Sequence, residues 1–144
     1  MKLAFKSLFI VATLLFALVA TAFGQTAADS VSLTFRYYPN DNAIRVFLPG
    51  EFNNWGNNSS GRINIDDGSL MEKRESEPFW YKAVRFPIGG GTSAYEGQDG
   101  FAYKMHEQYD GAGSQWAWFT DPLNPIAIGP NSDSWVNIQH PMVF

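Results

Sequence analysis

Two histidines, His106 and His140, stand far apart with no partner at metal-ligand spacing such as H-E-x-x-H, and the chain contains no cysteine. Zinc sites, thiolate ligands, disulfides and thiol catalysis therefore fall away together. The serines lie in turn-like stretches without a G-x-S-x-G frame, where they bond local backbone rather than act as nucleophiles. Asp66-Asp67-Gly68 resembles a fragment of a calcium loop, but the bidentate glutamate at loop position 12 is missing, so it reads as a turn. Gly89-Gly90-Gly91 lacks the Lys-Ser/Thr of a phosphate loop and opens no helix, which makes it a connector. Glu75 and Glu77 share a face if extended, as a hydrolytic carboxylate pair would require. Their surroundings are charged and lack an aromatic cleft, so a solvated face describes them better. No catalytic residue, metal ligand or cofactor is expected.

The remaining chemistry is aromatic. The chain carries 12 Phe, 6 Tyr and 5 Trp. Trp80 sits in an apolar run, as a core indole should. Trp55, Trp116 and Trp118 instead lie in or beside segments rich in Asn, Gln, Gly and Ser. An indole face stacks on the CH face of a sugar ring, while amide and lysine side chains bond its hydroxyls. The same indoles could fill a core or brace loops, and composition alone ranks that alternative first. Asn57-Asn58-Ser59 and Asn58-Ser59-Ser60 are overlapping glycosylation sequons, of consequence only where the source glycosylates.

The elements that must position these residues read as strands. Val31, Leu33, Phe35 and Tyr37 alternate with polar residues, and after the turn signal Pro39-Asn40-Asp41-Asn42, Ile44, Val46 and Leu48 do the same. These two runs are expected to form a hairpin. Further strands are expected around Phe79 to Phe86, with Trp80, Val84 and Phe86 inward, and from Phe101 to His106, with Lys104 directed away from the core face. Trp135 to Gln139 is the last candidate, and the stretch from Met71 to Glu77 shows no period. With 144 residues, 13 Gly and 8 Pro, the chain suits one domain of short strands and ordered loops.

Residues 1–24 read as a cleaved secretory signal: Lys2 and Lys6, an apolar run from Leu8 to Val19, then Ala22-Phe23-Gly24 before Gln25. That run is shorter than the roughly 20 residues a spanning helix needs. A secreted or periplasmic protein is expected, with no membrane association after cleavage. The formal net charge is −4, and loss of Lys2 and Lys6 leaves eight basic against 14 acidic residues, or −6. No basic footprint for nucleic acid is present.

Val46-Phe47-Leu48-Pro49-Gly50-Glu51-Phe52-Asn53-Asn54-Trp55, Tyr103-Lys104-Met105, Trp118-Phe119-Thr120-Asp121-Pro122-Leu123-Asn124-Pro125 and Val136-Asn137-Ile138 together resemble the family 48 carbohydrate-binding modules. These are the early-set, immunoglobulin-like domains of isoamylases, glycogen-branching enzymes and the AMP-activated protein kinase β subunit. The resemblance covers about Val31 to Gln139. It implies an all-β, immunoglobulin-like β-sandwich that binds α-glucan of the starch or glycogen type and is not itself an enzyme. It further implies that Trp55 and Trp118 stack on glucose rings and that Lys104 and Asn137 bond hydroxyls, with Asn54 and Trp116 as secondary candidates. A leucine that in some members threads through the ligand has no counterpart in Asn131-Ser132-Asp133-Ser134.

The expected organisation is a signal peptide over 1–24, a short extension over 25–30, the module over 31–139 and a tail or linker over 140–144. By resemblance, a following glycoside hydrolase or esterase domain is a further partner. The alternative is a structural early-set spacer that packs on a neighbouring domain without binding sugar.

Overall fold

The computed structural model describes residues 30–88, 100–124 and 126–138. Residues 1–29, 89–99, 125 and 139–144 lie outside the described residues, and with them the expected signal segment, most of the expected N-terminal extension, Gly89-Gly90-Gly91, His140 and the expected tail. Within them the domain is all-β, with strands β1 (Ser30–Tyr37), β2 (Arg45–Phe47), β3 (Glu72–Lys73), β4 (Trp80–Pro87), β5 (Phe101–Tyr103), β6 (Met105–Gln108), β7 (Trp116–Phe119), β8 (Ala127–Ile128) and β9 (Asp133–Val136).

Three small antiparallel sheets result, ordered β1-β4-β3, β2-β6-β7 and β5-β9-β8. In the first, the whole of β1 pairs with β4, from Ser30 opposite Pro87 to Tyr37 opposite Trp80. The alternation in β1 holds: Phe35 and Tyr37 are buried and Ser32, Thr34 and Arg36 are exposed. Trp80 and Phe86 are buried on β4, and Lys82 on the same parity donates to the Leu70 carbonyl at 3.0 Å.

The expected hairpin does not form. β1 pairs with β4 and β2 pairs with β6, so the turn after Tyr37 carries the chain from one sheet to another. Alternation identified two half-buried strands but could not identify their partners, because both pairings leave the same side chains inward. Ile44 departs from expectation as well and is exposed, whereas Val46, Phe47 and Leu48 are all buried. A strand covered on both faces reads as a continuous apolar run, not an alternating one.

The second and third sheets meet along residues 101–108. β5 and β6 are interrupted only at Lys104, whose backbone N–H donates to the Pro49 carbonyl at 2.9 Å. Gly50 bridges Tyr103 at the same place. The core joins the inner side chains Phe35, Tyr37, Trp80 and Phe86 of the first sheet to Val46, Leu48, Met71, Tyr103, Met105 and Ile138. Phe35 meets Tyr103 edge-on at 5.0 Å between centroids.

The connection from β7 to β8 is fixed by Asp121 and Asn124. Asp121 accepts from the Tyr103 hydroxyl at 2.8 Å and from the Leu123 N–H at 2.9 Å. Asn124 Nδ2 donates to the Tyr103 hydroxyl at 3.0 Å and to the Trp135 carbonyl at 2.7 Å. Burial is the main reason the Tyr103 hydroxyl is raised well above its usual range. The Leu123 N–H bond to Asp121 is an Asx-type turn, while the bonds to Tyr103 and Trp135 tie this segment to β5 and β9.

Candidate functional site

The loop after β2 turns sharply. Glu51–Asn57 begins as a 3-10 turn and then reverses hand: Asn54, Trp55, Gly56 and Asn57 have φ of 51, 55, 63 and 47°. Asparagine and glycine tolerate the left-handed region, but for a bulky side chain such as Trp55 it costs roughly 1–2 kcal/mol.

Neighbouring contacts hold the turn. Asn53 Oδ1 accepts from the N–H groups of Gly50 at 2.9 Å and Gly56 at 3.2 Å, and Asn53 Nδ2 donates to the Leu48 carbonyl at 2.8 Å. Phe52 packs edge-on against Phe86, centroids 5.2 Å apart. Gly50 is needed because a Cβ there would come within 2.6 Å of the Phe52 ring and 2.8 Å of the Ala102 carbonyl oxygen. In G-x-F-N-N-W, then, glycine, phenylalanine and the first asparagine build the loop. The second asparagine reverses it, and the tryptophan is what it presents.

Trp55, Lys104 and Trp118 line one pocket of about 420 Å³, together with Asn58, Gly61, Asn131 and Asp133. The Lys104 ammonium donates to the Asn131 carbonyl at 2.8 Å and stands 3.6 Å from the carboxylate of Asp133. An ammonium has three donors, so the carbonyl and carboxylate orient it while leaving capacity for a further acceptor. Trp118 Nε1 donates to the Gly61 carbonyl at 2.8 Å, which satisfies the polar edge of the indole and fixes the ring. Two part-buried indoles and one oriented ammonium at a polar cleft suit a neutral ligand with both apolar faces and hydroxyls.

His106 lies beneath this wall, fully buried at 0 % exposure. Its ring is edge-on to Trp118 at 4.8 Å and to Phe47 at 5.6 Å, and stacked with Trp116 at 5.8 Å. Nε2 is 3.2 Å from the Gly61 carbonyl. A carbonyl only accepts, so Nε2 carries the proton. Nδ1 is buried without a hydrogen-bond partner among the described residues. Burial holds the imidazole down at about 4, against the weaker opposing pulls of the Gly61 carbonyl and Glu107.

Neutral His106 stabilises the fold in a defined pH window. The unfolded histidine takes up its proton near 6.5 and the folded one near 4, so the contribution is complete above about 6.5 and is lost as pH falls through that interval. The loss amounts to about 3 kcal/mol. Melting curves between pH 7 and 4.5 should show a steeper fall for the wild type than for His106→Gln. Parallel curves would contradict this.

The other expected site residues are dispersed. Asn137 is exposed just beyond β9 and is not among the pocket's lining residues. Asn54 is exposed and donates to Asn57 Oδ1 at 2.9 Å within its own turn. Trp116 stands at the start of β7, outside the lining, and Glu75 is exposed while Glu77 pairs with Arg74 at 3.7 Å. Among the described residues no group of three or more His, Asp or Glu is placed to hold a metal ion.

Gly61 had no motif to mark it, Asn58 stood out only as a sequon asparagine, and Asn131 and Asp133 as the stretch without the leucine; none was expected to line a site. Asp133 carried one faint signal, since it lies two residues before Trp135 and shares its parity on β9, where both are buried. No protein-family model, no curated protein and no solved structure matches the chain.

Proposed function

We propose that the chain is a secreted, non-catalytic module that binds α-glucan of the starch or glycogen type, built as an immunoglobulin-like early-set β-sandwich. The observation that supports this most is the convergence of Trp55, Lys104 and Trp118, drawn from three separate stretches of sequence, on a single pocket. In this reading the two indoles take the apolar faces of glucose rings and Lys104 donates to a hydroxyl. Asn137 contacts only a ligand that extends past the pocket rim. The module accompanies a glycoside hydrolase or esterase domain, and no reaction occurs on the chain itself.

A structural spacer is the second reading, favoured by one observation. Asn53, Asp121 and Asn124, all inside the motifs that carry the family resemblance, hold loops of the domain itself. Cosedimentation of the full chain with granular starch, and with cellulose as control, separates the two. Glucan binding predicts depletion by starch alone; no depletion by either polysaccharide favours the spacer.

A further inference from the structure

Trp116 and Trp118 lie two residues apart on β7 and therefore point to the same side of the strand, about 6.8 Å apart along it. Among the described residues β7 is an edge strand of its sheet, paired only with β6. The Trp116 ring is nearly parallel to that of His106, at 24° and 5.8 Å. It also covers Gly61, where a Cβ would come within 2.6 Å of the indole. One side of the ring is thus occupied, yet Trp116 remains 37 % exposed.

Gly61 connects this indole to the pocket. Its carbonyl accepts from Trp118 Nε1 at 2.8 Å, its bare Cα lies against Trp116, and Gly61 itself is a lining residue. At φ +85° the position favours glycine, and any side chain would displace Trp116.

We propose that Trp116 is a third aromatic platform that extends the sugar site beyond the pocket, so that the ligand is a linear run of hexose rings crossing Trp118 and Trp116. This rests on the proposed α-glucan function and adds a chain-length requirement to it. The His106 ring and Gly61 hold the platform before any ligand arrives, so little side-chain freedom is lost on binding. A ring stacked on the outer side of Trp116 covers apolar surface that water otherwise contacts. A mono- or disaccharide seated at Trp118 leaves that surface uncovered.

The test is calorimetric titration of the full chain with the series from maltose to maltoheptaose. The wild type is expected to prefer the longest member over the shortest. Trp116→Ala should cut that length preference about 3- to 10-fold, the range of one aromatic stacking contact. Trp116→Phe should retain more of it, and Trp118→Ala should weaken long and short ligands alike. A length preference equal to the wild type's in Trp116→Ala overturns the proposal, as does an equal loss for every ligand, which would mean that Trp116 only supports the pocket. If the wild type binds no member of the series, the α-glucan function itself fails, and the platform with it.

Discussion

Replacing Glu107 by alanine is expected to lower the melting temperature more than any other polar substitution in the domain. Glu107 is completely buried on β6. Its carboxylate accepts from the Tyr37 hydroxyl at 2.8 Å, the Asn40 N–H at 3.1 Å, Asn40 Nδ2 at 2.9 Å and the Tyr109 hydroxyl at 2.8 Å. Four donors replace the water lost on burial, and no ion pair contributes among the described residues. Burial, followed by the bond to this carboxylate, pushes the Tyr109 hydroxyl up to about 12 and the Tyr37 hydroxyl higher still.

Removing the acceptor strands these donors, of which the Tyr37 hydroxyl is the most deeply placed. A loss of about 3–5 kcal/mol follows, by analogy with breaking other buried charged networks. Glu107→Gln keeps one acceptor oxygen and should lose less. Thermal melts followed by circular dichroism should place Glu107→Ala at least about 10 °C below the wild type. A shift under about 3 °C would show that the network adds little.

That network also marks what the sequence could not disclose. Glu107 lies just past the run that was expected to end at His106, and its identity says nothing of the tyrosines and asparagine that surround it. These come from β1, the following turn and the residue after β6, at separations up to 70 positions. The same limit explains the hairpin that did not form. Local periodicity located β1 and β4. The run from Phe101 to His106 is not the single alternating strand expected: it divides at Lys104 between two sheets, and Ala102 and His106 are buried as fully as Tyr103 and Met105. Pairing partners depend on long-range packing that no local pattern encodes.

At the candidate site, Trp55, Trp116 and Trp118 stood out alike among Asn, Gln, Gly and Ser, a signal that does not separate binding from bracing; Trp55 and Trp118 line the pocket and Trp116 does not. Asn131 is represented at Lys104 by its backbone carbonyl, which has no sequence signature at all. His106 looked isolated, and in sequence it is; its role comes from the three aromatic rings that the fold places around it.

The second large effect concerns binding. Trp55→Ala and Trp118→Ala should each weaken α-glucan affinity by about 1–3 kcal/mol, the cost of removing an aromatic anchor from an interface. Both indoles are only part-buried, so their loss should change the melting temperature little. Trp80→Ala is the contrasting case. Trp80 is buried in the core at the start of β4, and its truncation should cost about 3–5 kcal/mol of stability. If Trp55→Ala and Trp118→Ala unfold the domain as Trp80→Ala does, the indoles brace the fold and do not present a binding surface.

The proposed function places α-glucan in the pocket of Trp55, Lys104 and Trp118. Its most direct test is affinity electrophoresis of the full chain through a native gel containing amylopectin, beside the double variant Trp55→Ala/Trp118→Ala. The wild type should be retarded relative to a gel without polysaccharide, and the double variant should migrate alike in both gels while melting close to the wild type. An unretarded wild type, or a folded double variant retarded as strongly as the wild type, would contradict the claim.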